Sequence, residues 1–175
     1  MKIRKKTSIN WRITKHSDQD RFEWIPIFTI QFSDNYTRTF GLTPNGDWVN
    51  EIIMSESRNY SITKNKNQYL NIITVLEKER DYIEDILTNG LEKNTNGEYS
   101  KEVFPFLDLI KFALSTDKGF WAEKALKWLR QEEFDEELCQ ITKDFVDKKL
   151  MNQATRHHLF KMMNRYERSI TDNSR

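Results

Sequence analysis

The chain has 175 residues, a formal net charge of +1, 37% apolar residues and 31% charged ones. That length suits one domain, and five Trp, eleven Phe and six Tyr supply enough bulky surface for a core, which argues against global disorder. No segment reaches the roughly 18 apolar residues of a membrane-spanning helix, so no membrane association is expected.

The first third alternates as strands do. Ile9, Trp11 and Ile13 share one phase, with polar residues between them. In the run from Arg21 to Phe32, Phe22 and Trp24 share a phase that shifts after Pro26 to Phe28, Ile30 and Phe32. A proline at a change of parity predicts a bulge or an edge-strand kink. Thr37 to Thr43 and Asp47 to Met54 flank Pro44-Asn45-Gly46. Proline presets the first turn position and Asn-Gly tolerates positive φ, so these two runs predict a hairpin. Arg58 to Thr63 adds a fifth short strand, and connections this brief predict an antiparallel meander.

From residue 67 the apolar spacing becomes helical. Tyr69, Ile72, Ile73, Leu76, Ile83 and Leu87 predict a long helix that Asn89-Gly90 would end. After a loop through Asn94 to Gly97, Ser100 is placed to cap a helix containing Phe104, Phe106, Leu109, Ile110 and Phe112. That helix is apolar on nearly every side, which sends it to the interior, and Pro105 fits only near its first turn. Trp121, Ala125, Trp128 and Leu129 mark the inward side of the next helix. Asp135 caps another running to about Leu150, with Glu136 and Glu137 at its positive end and Lys148 and Lys149 at its negative end. The last helix, from Asn152 to Ile170, buries a stripe of Leu159, Met162, Met163, Tyr166 and Ile170.

These elements predict an α+β fold, with an antiparallel β-meander of 4–5 strands over residues 8–63 and about five amphipathic helices over 67–170. The bare side of the sheet needs a cover, which favours a single integrated domain over residues 1–175. Helical hairpins of this length are similar in outline to HEAT-type or armadillo-type units, although no residue-level repeat recurs at a fixed period.

Charge is segregated along the chain. Residues 1–66 carry a balance of +4, residues 67–150 one of −6 and residues 151–175 one of +3. On the last helix His157, Lys161, Arg165 and Arg168 fall opposite the apolar stripe and form a candidate interaction face. Lys2, Arg4, Lys5 and Lys6 could extend it if the basic tail folds nearby. Glu132, Glu133, Asp135, Glu136 and Glu137 form a candidate acidic partner face, although such runs also serve as ordinary wet helix faces.

Catalytic signatures are lacking. No Gly-x-Ser-x-Gly motif or glycine-rich phosphate loop is present, and Cys139 reads as a small buried hydrophobe. The three histidines, His16, His157 and His158, have no chelating spacing, because adjacent helical residues point about 100° apart. Neither a metal nor another cofactor is expected. Met162 and Met163 could adapt to a partner but lie on the core stripe.

The expected function is therefore a non-enzymatic protein-interaction module that presents charged helix faces, of the kind found in bacterial immunity, antitoxin-like or accessory proteins. The single cysteine and the polar Thr7, Ser8 and Asn10 after the basic N-terminus point to the cytoplasm. Two alternatives stand beside it: a nucleic-acid-associated protein using the basic helix and tail, and an enzyme whose site is assembled from scattered residues.

Overall fold

Residues 9–15, 21–116, 119–147 and 152–173 are described by the computed structural model of the chain. The fold is α+β, an antiparallel sheet followed by helices. The sheet holds β1 (Arg12–Lys15), β2 (Arg21–Ser33), β3 (Tyr36–Leu42), β4 (Trp48–Met54) and β5 (Ser57–Thr63), in the order β1-β2-β3-β4-β5. The chain divides into two compact units, Met1–Phe104 and Pro105–Arg175.

In the first unit the turn chemistry behaves as predicted. Gly46 has φ of 84°, its N–H donates to the Thr43 carbonyl at 2.9 Å, and Thr43 N–H donates to the Asp47 carbonyl at 2.9 Å. The parity change at Pro26 is a register shift between Pro26 and Phe28 in the β2–β3 ladder. The sheet is coiled: Tyr60 of β5 meets Phe22 and Trp24 of β2 at 5.8 and 6.0 Å between ring centroids, with two strands between them. Ile13 does not join the core; it is 69% exposed on the short edge strand β1.

The long helix expected from Tyr69 is replaced by two 3-10 segments, Lys66–Asn71 and Ile73–Glu77. Ile72-Ile73-Thr74-Val75 is a β-branched run, which is stiff at χ1 and poor in α-helix. The sheet also competes for the backbone here, because the Asn50 side chain donates to the Asn71 carbonyl at 2.7 Å. The α-helix α1 then runs over Arg80–Thr95, straight through Asn89-Gly90, and ends at Asn96 with φ of 53°. Gly90 is therefore no cap. A Cβ built on it would lie 2.1 Å from the Ile27 carbonyl oxygen, so glycine lets α1 press its backbone against β2. Above the sheet, Phe28, Phe40, Trp48 and Phe104 pack as one aromatic cluster, and Trp48 Nε1 donates to the Val103 carbonyl at 3.1 Å.

The second unit holds α2 (Phe106–Ser115), α3 (Gly119–Trp128), α4 (Glu136–Asp147) and α5 (Gln153–Asn173). Ser100 precedes a 3-10 turn, Lys101–Val103, and caps no α-helix; α2 begins only after Pro105, whose N lacks the hydrogen that an interior turn requires. Helix α2 packs against α3 and α4, and α4 against α5. Trp128 is 2% exposed beside Phe106, at 5.8 Å between centroids, whereas Trp121 is only half-buried and stacks edge-on with exposed Phe120. Among the described residues, no helix is long and apolar enough to cross a membrane.

Candidate functional site

Asn152 caps α5, its Oδ1 accepting the Thr155 N–H at 2.9 Å. Its apolar stripe is buried through Leu159, Met162 and Met163. Tyr166 is half-buried against Phe134, at 6.2 Å between centroids, and Gln131 Nε2 donates to the Met162 carbonyl at 3.1 Å. Ile170 departs from the expected burial. It is 48% exposed, because Glu167 and every residue from there through Thr171 lies on the surface.

His157, Lys161, Arg165 and Arg168 are all exposed, and none of them forms an ion pair among the described residues. At about 100° per residue the four span a sector of roughly 80°, and Phe160, 53% exposed, stands roughly 60° beyond His157. The basic tail residues Lys2, Arg4, Lys5 and Lys6, together with His16, Lys148 and Lys149, lie outside the described residues.

The acidic segment is bound up with its own unit. Glu133 accepts the Arg130 N–H at 3.1 Å, closing the 3-10 turn Gln131–Glu133. Asp135 Oδ1 accepts the Leu138 N–H at 2.7 Å and so caps α4, as the sequence predicts. Lys111, buried within α2, donates to Asp135 Oδ2 at 2.5 Å and to Glu137 Oε2 at 2.7 Å. Burial pulls the Asp135 carboxyl up, but the hydrogen bonds from Lys111 and Leu138 prevail and hold it below its ordinary value. Burial likewise pulls Lys111 down, and its bonds to Asp135 and Glu137 raise it above the usual lysine value. Glu132 and Glu136 remain exposed. Sequence reasoning missed Lys111. Its only signal was a lysine beside Leu109, Ile110, Ala113 and Leu114, with its carboxylate partners 24 and 26 residues away.

Between α4 and α5 lies an open cleft of about 710 Å³, lined by Cys139, Ile141, Tyr166 and Ile170 with Glu136, Glu137, Gln140, Lys143 and Glu167 at its rim. Lys143 Nζ lies 2.8 Å from Glu167 Oε1 across it. Burial pushes the Cys139 thiol up, which leaves it a weak nucleophile at neutral pH. Among the described residues, no three His, Cys, Asp or Glu side chains converge to hold a metal. Neither family models, curated proteins nor solved structures provide a match to this chain.

Proposed function

We propose that the chain is a non-enzymatic, cytoplasmic interaction protein of the inhibitor or accessory kind, and that the basic face of α5 docks an acidic protein surface. One observation carries this reading. The acidic segment is met from within by Lys111, whereas His157, Lys161, Arg165 and Arg168 have no carboxylate partners among the described residues. A helix face of unmatched charge lowers its energy and gains association rate when an opposite potential meets it. The exposed Phe160 beside it supplies the apolar anchor that charge alone lacks. The single thiol Cys139, buried and unpaired, suits a reducing compartment.

The test is quantitative affinity capture from the native host with three baits: wild type, K161E/R165E/R168E and E132K/E136K. A protein partner with an acidic surface should be enriched by the wild type and by E132K/E136K but not by the triple variant. Equal enrichment by all three baits overturns the reading.

The same Phe160 beside the same cations favours a second reading, nucleic-acid binding, since bases stack on exposed aromatics. Binding to labelled single-stranded RNA or duplex DNA separates the two. A nucleic-acid ligand loses affinity steeply with salt, with a log–log slope of about −0.9 per phosphate neutralised on duplex DNA.

A further inference from the structure

The first unit contains a cleft of about 600 Å³ that the sequence did not announce, lined by Asn10, Arg12, the stretch Ile25–Thr29, and Lys93, Asn94 and Asn96. Alternate residues of a strand face opposite sides of a sheet, so five consecutive lining residues mean that the cleft meets β2 edge-on. Two features open that edge. Among the described residues, β1 pairs with β2 only over Arg21 to Trp24, and the register shift between Pro26 and Phe28 bends the strand just beyond. The end of α1 forms the facing wall, held close by the contact of Gly90 with Ile27.

Among the described residues the lining has a distinct chemistry: two cations, three side-chain amides and no carboxylate. Neither Arg12 nor Lys93 forms an ion pair among the described residues. The carbonyl dipoles at the end of α1 would oppose an anion, but the Thr95 carbonyl is engaged, accepting the Glu98 N–H at 3.0 Å. A further strand finds one acceptor of this edge already taken up, because the Ile27 carbonyl faces the backbone of α1. The volume falls within the roughly 300–1,000 Å³ typical of small-molecule sites.

We propose that this cleft binds a small organic anion, a carboxylate or phosphate group on a compact body, with Arg12 and Lys93 taking the charge and the asparagines its polar substituents. Arginine offers a planar fork of donors and lysine a point charge, a pair that suits either acid. The proposal uses no residue of the α5 face and stands or falls without it.

The test follows the amide resonances of the full-length, 15N-labelled protein during titration with citrate, with pyrophosphate and with uncharged glucose. At least one anion should shift the amides of Ile25, Ile27 to Thr29 and Lys93 to Asn96 saturably, and glucose should not. Saturation by citrate alone assigns a carboxylate ligand, and by pyrophosphate alone a phosphate ligand. Arg12→Gln with Lys93→Gln should weaken binding at least tenfold while the remaining spectrum stays folded, and K161Q/R165Q should bind as the wild type does. The proposal is overturned if the double variant binds equally, if the shifts fall on α5, if glucose shifts the same amides, or if neither anion produces saturable shifts up to about 10 mM, tenfold above a millimolar Kd.

Discussion

Gly90 of α1 lies so close to Ile27 of β2 that a methyl group on it would sit 2.1 Å from the Ile27 carbonyl oxygen. In an open helix, replacing glycine with alanine stabilises by about 1 kcal/mol. Here the obstacle is backbone, which cannot swing aside, so the overpacking penalty of about 1–3 kcal/mol wins. Gly90→Ala should lower the urea midpoint, whereas Asn89→Ala, at an exposed position in the same helix, should leave it unchanged or raise it slightly. A stabilised Gly90→Ala protein would mean that α1 does not press on β2.

The two tryptophans of α3 should part company. Trp128→Ala removes a fully enclosed ring and should cost about 3–5 kcal/mol. Trp121→Ala uncovers a side chain already partly in water, so its cost should be clearly smaller. Chemical denaturation of both variants measures the difference, and equal losses would contradict the burial pattern.

Asp135 and Lys111 set opposite limbs of a pH–stability profile. Because the folded state holds the Asp135 carboxyl below its unfolded value, its contribution is complete above about pH 4 and disappears as pH falls through the depressed value. Lys111 is raised, so its contribution is complete below about pH 10.4 and is lost as pH rises through the raised value. Asp135→Asn keeps an N-capping side chain but removes the charge. Its destabilisation relative to wild type should therefore shrink between neutral pH and about pH 3. A difference that stays constant across that range would show that the ion pair contributes nothing.

Reversing Lys161, Arg165 and Arg168 to Glu should leave the melting temperature nearly unchanged, since exposed charges contribute at most about 1 kcal/mol each and these have no ion-pair partners among the described residues. Failure of the triple variant to fold would place these side chains in the core instead.

Cys139 should react slowly with iodoacetamide in the native protein at neutral pH and rapidly in urea, because burial keeps it a thiol. Mass spectrometry of the alkylated protein resolves the two rates.

The elements that could be read from sequence are those governed by neighbours along the chain. Pro44-Asn45-Gly46, the parity change at Pro26, the Asp135 cap and the basic face of α5 each depend on residues within a few positions, and each appears in the structure. What escaped depends on distant partners. Gly90 resembles a helix stop until Ile27, 63 residues earlier, is seen to require it. The Ile72-to-Leu76 stretch carries helical spacing, yet Asn50 takes the Asn71 carbonyl and the run tightens to 3-10 turns. Lys111 looks solvated until Asp135 and Glu137 close over it. For the same reason the α5 face was legible as a surface, while the Arg12–Lys93 cleft, joined by a register shift and a helix end, was not.

The strictly sequential strand order has a kinetic consequence. Among the described residues every ladder joins neighbours in the chain, and β2 to β5 are linked by turns of two to five residues. Each hairpin closes a short loop, so little chain entropy is lost before hydrogen bonds and side-chain contacts compensate for it. Folding rate tracks the sequence separation of contacts, which places this sheet toward the fast end for β structure. The slowest event in the first unit should be the docking of α1 and the turn after it, whose contacts Gly90 to Ile27 and Phe104 to Phe28 span 63 and 76 residues and must wait for β2 to be in register.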